Sequence, residues 1–201
     1  MLKLIIALCL LASTTIQAET RVLAFSGSTR AESYNQTLAT EAARIAQEMG
    51  ASVTLINLKD YPLPFYDEDL ERNEGMPANA KKLRQLMIQS DVIFIASPNY
   101  NASVTAILKN TLDWCSRSEE GGSSREALKG KKVAMMCASP GAKGGIKGLV
   151  HLRDIVQDIG GIVMPDPVAI PKAHEAFDES GKLNDPGLNM NLRQLVQESL
   201  N

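Results

Sequence analysis

Ser26-Gly27-Ser28-Thr29-Arg30-Ala31-Glu32-Ser33-Tyr34-Asn35 joins two segments of different periodicity. Before it, Arg21-Val22-Leu23-Ala24-Phe25 is apolar and reads as a strand; after it, apolar residues recur near helical spacing at Leu38, Ala42, Ile45, Ala46 and Met49. The decapeptide therefore links the carboxyl end of a strand to the amino end of a helix. Unpaired N–H groups and about half a positive charge from the helix dipole converge in such a place. Gly27 lets backbone approach an anion, Ser26, Ser28, Thr29 and Ser33 offer hydroxyls, and Arg30 offers a fork of N–H donors. One glycine and many hydroxyls suit a terminal phosphate monoester, and they equally suit a serine-rich turn with Ser33 as helix cap. The loop is neither Gly-x-Gly-x-x-Gly nor a nucleotide-triphosphate loop ending in Gly-Lys-Ser/Thr.

Working outward, the chain alternates. Strands are expected at Ser52 to Asn57, Asp91 to Ser97, Lys132 to Ser139 and from Gly161 to Pro165; helices are expected near 34–49, 77–90, 103–115, 145–159 and 187–200. Near-continuous apolar strands separated by helices mean a parallel sheet covered on both faces. The fold class is α/β, a doubly wound five-stranded parallel sheet in a single domain spanning 19–201. The long irregular pieces, Lys59 to Met76 and Ser116 to Gly130, are of a length that suits site-forming or subunit-contacting loops.

With 201 residues, 44% apolar and 22% charged, the chain can bury an adequate core. A net charge of −2 and 4% aromatic content give no footprint for nucleic acid. Met1-Leu2-Lys3, the apolar run Leu4 to Ala12 and the small, mostly polar Ser13 to Ala18 have the order of a secretory signal peptide cleaved after Ala18, with Ile16 a poor minus-three residue. Export to the periplasm or medium is the expectation; an uncleaved anchor, or an upstream start codon on a cytoplasmic protein, are the alternatives. No twin arginine precedes the apolar run, so export would proceed unfolded.

In doubly wound sheets the ligand sits outside the carboxyl ends of the strands, at the switch point. The segments after the first, third and fourth strands should therefore meet at one crevice. These are the Ser26 loop, Ser97-Pro98-Asn99-Tyr100-Asn101-Ala102-Ser103, and Ser139-Pro140-Gly141-Ala142-Lys143-Gly144-Gly145. Each also reads as a plain turn or cap. Together they suit a phosphorylated planar heterocycle, with phosphate on the first loop, amides and a ring on the second, and flat-lying backbone on the third.

At these residues the chain resembles the NADPH-dependent FMN reductases of flavodoxin-like fold, in their chromate, quinone and azo-compound reducing branch. The resemblance is carried by Gly27 to Asn35, Leu63-Pro64-Phe65-Tyr66-Asp67-Glu68-Asp69, Ser97 to Ser103 with Leu108-Lys109-Asn110-Thr111-Leu112-Asp113-Trp114, and Ser139 to Gly145. It implies FMN as cofactor, with Ser28, Arg30, Ser33 and Asn35 on the phosphate. Pro98, Asn99, Tyr100 and Asn101 would border the ring and ribityl groups, and Ser139, Gly141 and Gly144 would close the far side. It further implies NADPH or NADH as hydride donor, a small-molecule electron acceptor taken in turn over the same ring face, no protein nucleophile, and a homodimer or homotetramer.

Two departures stand out. The family usually has Pro-Glu-Tyr-Asn where this chain has Pro98-Asn99-Tyr100-Asn101, and Pro-Gly where it has Thr105-Ala106. Asp113 and Trp114 read as packing residues, and Lys109 and Asn110 carry no assignment. His151 and His174 have no partner pattern, while Cys115 and Cys137 lack metal-like spacing and read as small core residues. A non-catalytic flavin carrier and a diverged, exported interaction module remain the other classes; carriers are usually strongly acidic, which −2 is not.

Overall fold

Three strands owe their length to burial on both faces. In the computed structural model, which describes residues 19–201, β1 (Arg21–Ser26), β3 (Val92–Ala96) and β4 (Lys132–Ala138) form the centre of a parallel sheet, with β2 (Ser52–Asn57) beyond β1. The proposed signal peptide, 1–18, lies outside the described residues.

The pleat divides each central strand between two cores. Val22, Ala24, Phe94, Ala96, Ala134 and Met136 face α1 (Tyr34–Glu48) and α6 (Pro186–Leu200). Leu23, Phe25, Ile93, Ile95, Val133 and Met135 face the other way, onto α3 (Ala78–Gln89), α4 (Ala106–Cys115) and α5 (Ile146–Asp158). Alanines on both sides of the first interface, Ala24 and Ala96 against Ala39, Ala42 and Ala46, let α1 lie close to the sheet.

The fifth sheet position differs from expectation. Two short strands fill it, β5 (Ile162–Val163) beside Lys132 and Val133, and β6 (Val168–Ile170) beside Met136 to Ala138, making six strands in all. Pro165 and Pro167 separate them, because neither can donate an N–H to the ladder. A further helix, α2 (Glu68–Glu74), went unforeseen: it is charged and lacks apolar periodicity. Asp67 starts it, accepting from the N–H groups of Asp69 and Leu70 at 2.8 and 3.0 Å.

The segment before α2 is locked to α4. Pro64 O accepts from Asn110 Nδ2 and from Trp114 Nε1, both at 2.9 Å, and Asn110 Oδ1 accepts from Tyr66 N–H at 2.8 Å. Trp114 is fully buried and edge-on to Tyr66, as a packing residue should be. Cys115 and Cys137 are buried free thiols, each pushed up to about 12 by that burial.

Glu71 is the other anchor of this segment. Its side chain is 5% exposed and forms a bidentate pair with Arg117, at 2.9 and 2.7 Å, while Tyr66 Oη donates to it at 3.1 Å. The Arg117 hydrogen bond holds the carboxyl below its ordinary value, so its stabilising contribution is complete above the unfolded carboxyl pKa of about 4.3 and is lost as pH falls below it. Arg117→Ala leaves a buried charge unpaired and should cost about 3–5 kcal/mol at neutral pH. Urea unfolding should show that deficit narrowing in acid, as Glu71 protonates; a deficit under about 1 kcal/mol at pH 7 would place the pair in the weak surface class.

Candidate functional site

Three loops leave the carboxyl edge of the sheet in register, because the ladder runs one residue past each strand. Gly27 N–H donates to Ala96 O at 2.9 Å, Ser97 N–H to Met136 O at 2.8 Å, and Ser139 N–H to Ile170 O at 3.1 Å. The strand order β2-β1-β3-β4-β5 reverses direction between β1 and β3, which is where a doubly wound sheet opens a crevice. A cleft of about 160 Å3 lies there. A larger depression of about 480 Å3, bounded by Tyr61, Lys82, Leu86 and Glu119, draws on none of the three loops.

The first loop brings Ser28, Arg30, Ser33 and Asn35 to the cleft. Ser33 caps α1, its Oγ accepting from Gln36 N–H at 3.3 Å, and Ser28 Oγ accepts from Arg30 N–H at 3.2 Å, drawing the loop into a small ring. Both serines are buried. Among the described residues no acceptor meets the N–H groups of Ser28, Thr29, Tyr34 or Asn35. Orphan donors at a helix amino end favour an anion. Arg30 lies over the Tyr34 ring, 5.4 Å from its centroid, which holds the guanidinium beside the cleft. Tyr34 is a lining residue that the sequence reading did not single out.

Asn35 is engaged in an unforeseen way. Its Nδ2 donates to Ala138 O and its Oδ1 accepts from Ala138 N–H, both at 2.9 Å. Thr105 is a second tie: its hydroxyl donates to Gly27 O at 2.6 Å and accepts from Leu108 N–H at 3.2 Å, so one side chain caps α4 and holds the first loop. Gly27 itself lies so near α4 that a Cβ would stand 3.0 Å from Leu108.

Pro98, Asn99 and Tyr100 line the cleft from the second loop, with Tyr100 59% exposed. Tyr100 and Ser103 exchange backbone hydrogen bonds at 3.0 Å across a tight turn whose central residues, Asn101 and Ala102, have φ of 52° and 61°. Such geometry is ordinary for asparagine and costs about 1 kcal/mol for alanine. Asn101 sits at the exposed tip of this turn, outside the cleft lining. Asn99 Oδ1 is buried and meets no donor among the described residues.

From the third loop, Ser139 and Pro140 line the cleft. Gly141 is exposed, its N–H donating to Ser139 Oγ at 3.3 Å. Gly144 faces the sheet: with φ of +60°, it sits where a Cβ would come 2.8 Å from the Ile170 backbone, and so it seats the loop on β6. Gly145 and Gly148 leave room for Asn99, a Cβ on either approaching that side chain to 3.0 or 2.9 Å. Gly145 belongs to the glycine loop read from the sequence, which did not name Asn99 as its neighbour, and no sequence signal marked Gly148.

His151 is exposed, its Nδ1 3.0 Å from Ser103 Oγ, and His174 is an exposed loop residue. Among the described residues there is no metal-holding cluster of His, Cys, Asp and Glu, and no helix long and apolar enough to cross a membrane.

Comparison with known proteins agrees with this architecture. Residues 20–175 match the family model described as NADPH-dependent FMN reductase. An NAD(P)H-dependent FMN reductase of Pseudomonas aeruginosa is 34% identical over 182 residues, covering 90% of this chain and 91% of the relative. A quinone reductase of Escherichia coli K12 is 35% identical over 147 residues, 73% of this chain and 74% of the relative. Among solved structures, FerB, a flavoenzyme NAD(P)H:acceptor oxidoreductase from Paracoccus denitrificans, superposes with a TM-score of 0.76 at 26% identity, covering 90% of this chain and 95% of that one. With a flavodoxin-like strand order, three loops at the switch point and this extent of matching sequence, the chain belongs to the NADPH-dependent FMN reductase family.

Proposed function

We propose that the protein is an FMN-dependent NAD(P)H oxidoreductase that reduces a quinone or free flavin, with azo compounds and chromate as further acceptors of the same class. The observation that carries the reading is the convergence of three loops on one cleft that combines orphan N–H groups, two buried serine hydroxyls and Arg30. Membership of the reductase family disfavours the flavin carrier and the interaction module.

The residues present fit FMN. Ser28, Ser33, Arg30 and the amino end of α1 would hold its phosphate; Pro98, Asn99, Tyr100 and Ser139 would border the remainder. Asn99 Oδ1, buried without a donor, is a further polar atom beside the cleft. Bound FMN would supply the hydride chemistry, accepting from the nicotinamide and donating to the acceptor. The protein's part is to bind and orient. Thr105 ties Gly27 to α4, so the cradle is supported from that side.

With nicotinamide and acceptor taken in turn over the same ring face, initial rates of NADPH against a quinone should give parallel lines in double-reciprocal plots. Intersecting lines would show both bound at once and contradict a shared site. Arg30→Ala removes a charge-assisted contact worth about 1.5–3 kcal/mol, roughly 10- to 150-fold in dissociation constant. FMN affinity should fall by that factor, while riboflavin, lacking the phosphate, should bind parent and variant alike. Equal losses for both flavins would make the loop a turn and not a phosphate site.

Two further readings belong with this one. Phe65 is 80% exposed on backbone locked at Pro64 and Tyr66, a rigid apolar contact suited to a homodimer or homotetramer. Export rests on the order of residues in Met1 to Ala18 alone. The native protein should sediment above monomer mass and begin at Glu19; a monomer would remove the first reading, and intact Met1 in a cytosolic fraction the second.

A further inference from the structure

We infer that Asn35 is a positioning residue that joins the phosphate-side loop to the ring-side loop, and that the phosphate is not its ligand. The inference deepens the FMN reading and rests on it. β3 runs alongside β4 only as far as Ala96 opposite Met136, after which Ser97 N–H still reaches Met136 O and the second loop turns away. Ala138 lies two residues further along β4. In a strand, alternate residues direct both N–H and C=O to the same side, so Ala138 presents its pair to the place β3 has vacated.

The carboxamide of Asn35 occupies that place. It donates to Ala138 O and accepts from Ala138 N–H, both at 2.9 Å, across 103 residues of sequence, and Asn35 is only 5% exposed. A primary amide carries the same donor and acceptor as a peptide group, so one side chain acts as the missing rung of the ladder. The residue holding this rung stands in the first turn of α1, immediately after Ser33 and Tyr34 of the first loop. The residue it holds is the last of β4, immediately before Ser139 of the third loop. The bond thus fixes the spacing between the two walls of the cleft, and its loss leaves a buried backbone N–H and C=O unmet.

The test uses Asn35→Ala and Asn35→Asp in the full chain, with FMN and riboflavin titrated separately into flavin-free protein. At pH 8 both variants should bind both flavins about tenfold or more weakly, by a similar factor for each, because the wall spacing serves the whole ligand. The aspartate variant has a second signature. An ionised carboxylate opposes Ala138 O, whereas a protonated carboxyl offers one donor and one acceptor as the amide does. Burial and the facing carbonyl raise the introduced carboxyl's pKa, and Arg30, which lines the same cleft, opposes that rise. Riboflavin affinity of Asn35→Asp should therefore recover toward the parent as pH falls from 8 to 5, with no such recovery in Asn35→Ala.

Loss of FMN binding with riboflavin unchanged would make Asn35 a phosphate ligand and overturn the inference. Unchanged affinity for both flavins, or no recovery of the aspartate variant in acid, would overturn it too. Should either variant fail to fold, the parent gives the answer: the Ala138 amide should exchange slowly in flavin-free protein, and fast exchange there overturns the rung. A parent that binds neither flavin would refute the FMN reading and the positioning role together, whereas slow exchange at Ala138 would still report the bond itself.

Discussion

A parallel sheet must end somewhere, and at its carboxyl edge the backbone groups of the last residues lose the neighbouring strand that satisfied them. Leaving them buried and unpaired costs about 1–3 kcal/mol each. This chain meets the constraint in three ways. The ladder continues one residue into each loop, through Gly27, Ser97 and Ser139. Thr105 takes the Gly27 carbonyl. Asn35 takes both groups of Ala138. The same bonds that complete the sheet therefore hold the three loops at fixed spacing, and the cleft is a product of how the edge is finished.

What the edge leaves unmatched gives the site its chemistry. The first turn of α1 keeps N–H groups that meet no acceptor among the described residues, beside a cleft lined by Arg30 and two buried serines. Positive potential from the helix end and the guanidinium is focused there. Around it the walls are rigid: Gly144 seats the third loop on β6, and Gly145 and Gly148 make room for Asn99. Preorganised walls lower the ordering cost of binding. The long loop from Lys59, anchored by Trp114, Asn110 and the Glu71–Arg117 pair, gives the α4 side of the molecule the same stiffness.

The sequence made the architecture legible wherever burial imposed a period. The central strands and α1, α3, α5 and α6 fall within about a residue or two of their expected places, since each buries a continuous face. It failed where charge or proline broke the period: α2 has no apolar stripe, and around Pro165 and Pro167 the expected strand shrinks to β5 while an unforeseen β6 follows beyond it. At the site, Ser28, Arg30 and Ser33 could be read from loop composition, the switch-point rule set the second and third loops at the same crevice, and the family resemblance singled out Pro98, Asn99, Tyr100 and Ser139; the structure brings all of these to one cleft. Gly144 could not be read correctly this way, because its glycine answers to the Ile170 backbone, a contact between segments far apart in sequence. Asn35 and Thr105 share that difficulty: an amide or hydroxyl type announces hydrogen bonding, and only the fold names the partner.

The central claim is that this sheet edge is built to hold FMN and pass hydride through it. The most direct measurement is an anaerobic titration of the purified native protein with NADPH and then NADH, after its flavin content has been extracted, identified and quantified. The account predicts one FMN per chain and bleaching of the yellow absorbance by a reduced nicotinamide, restored by adding a quinone. A protein that neither carries nor takes up FMN, or whose bound FMN stays oxidised under both nucleotides, would contradict it.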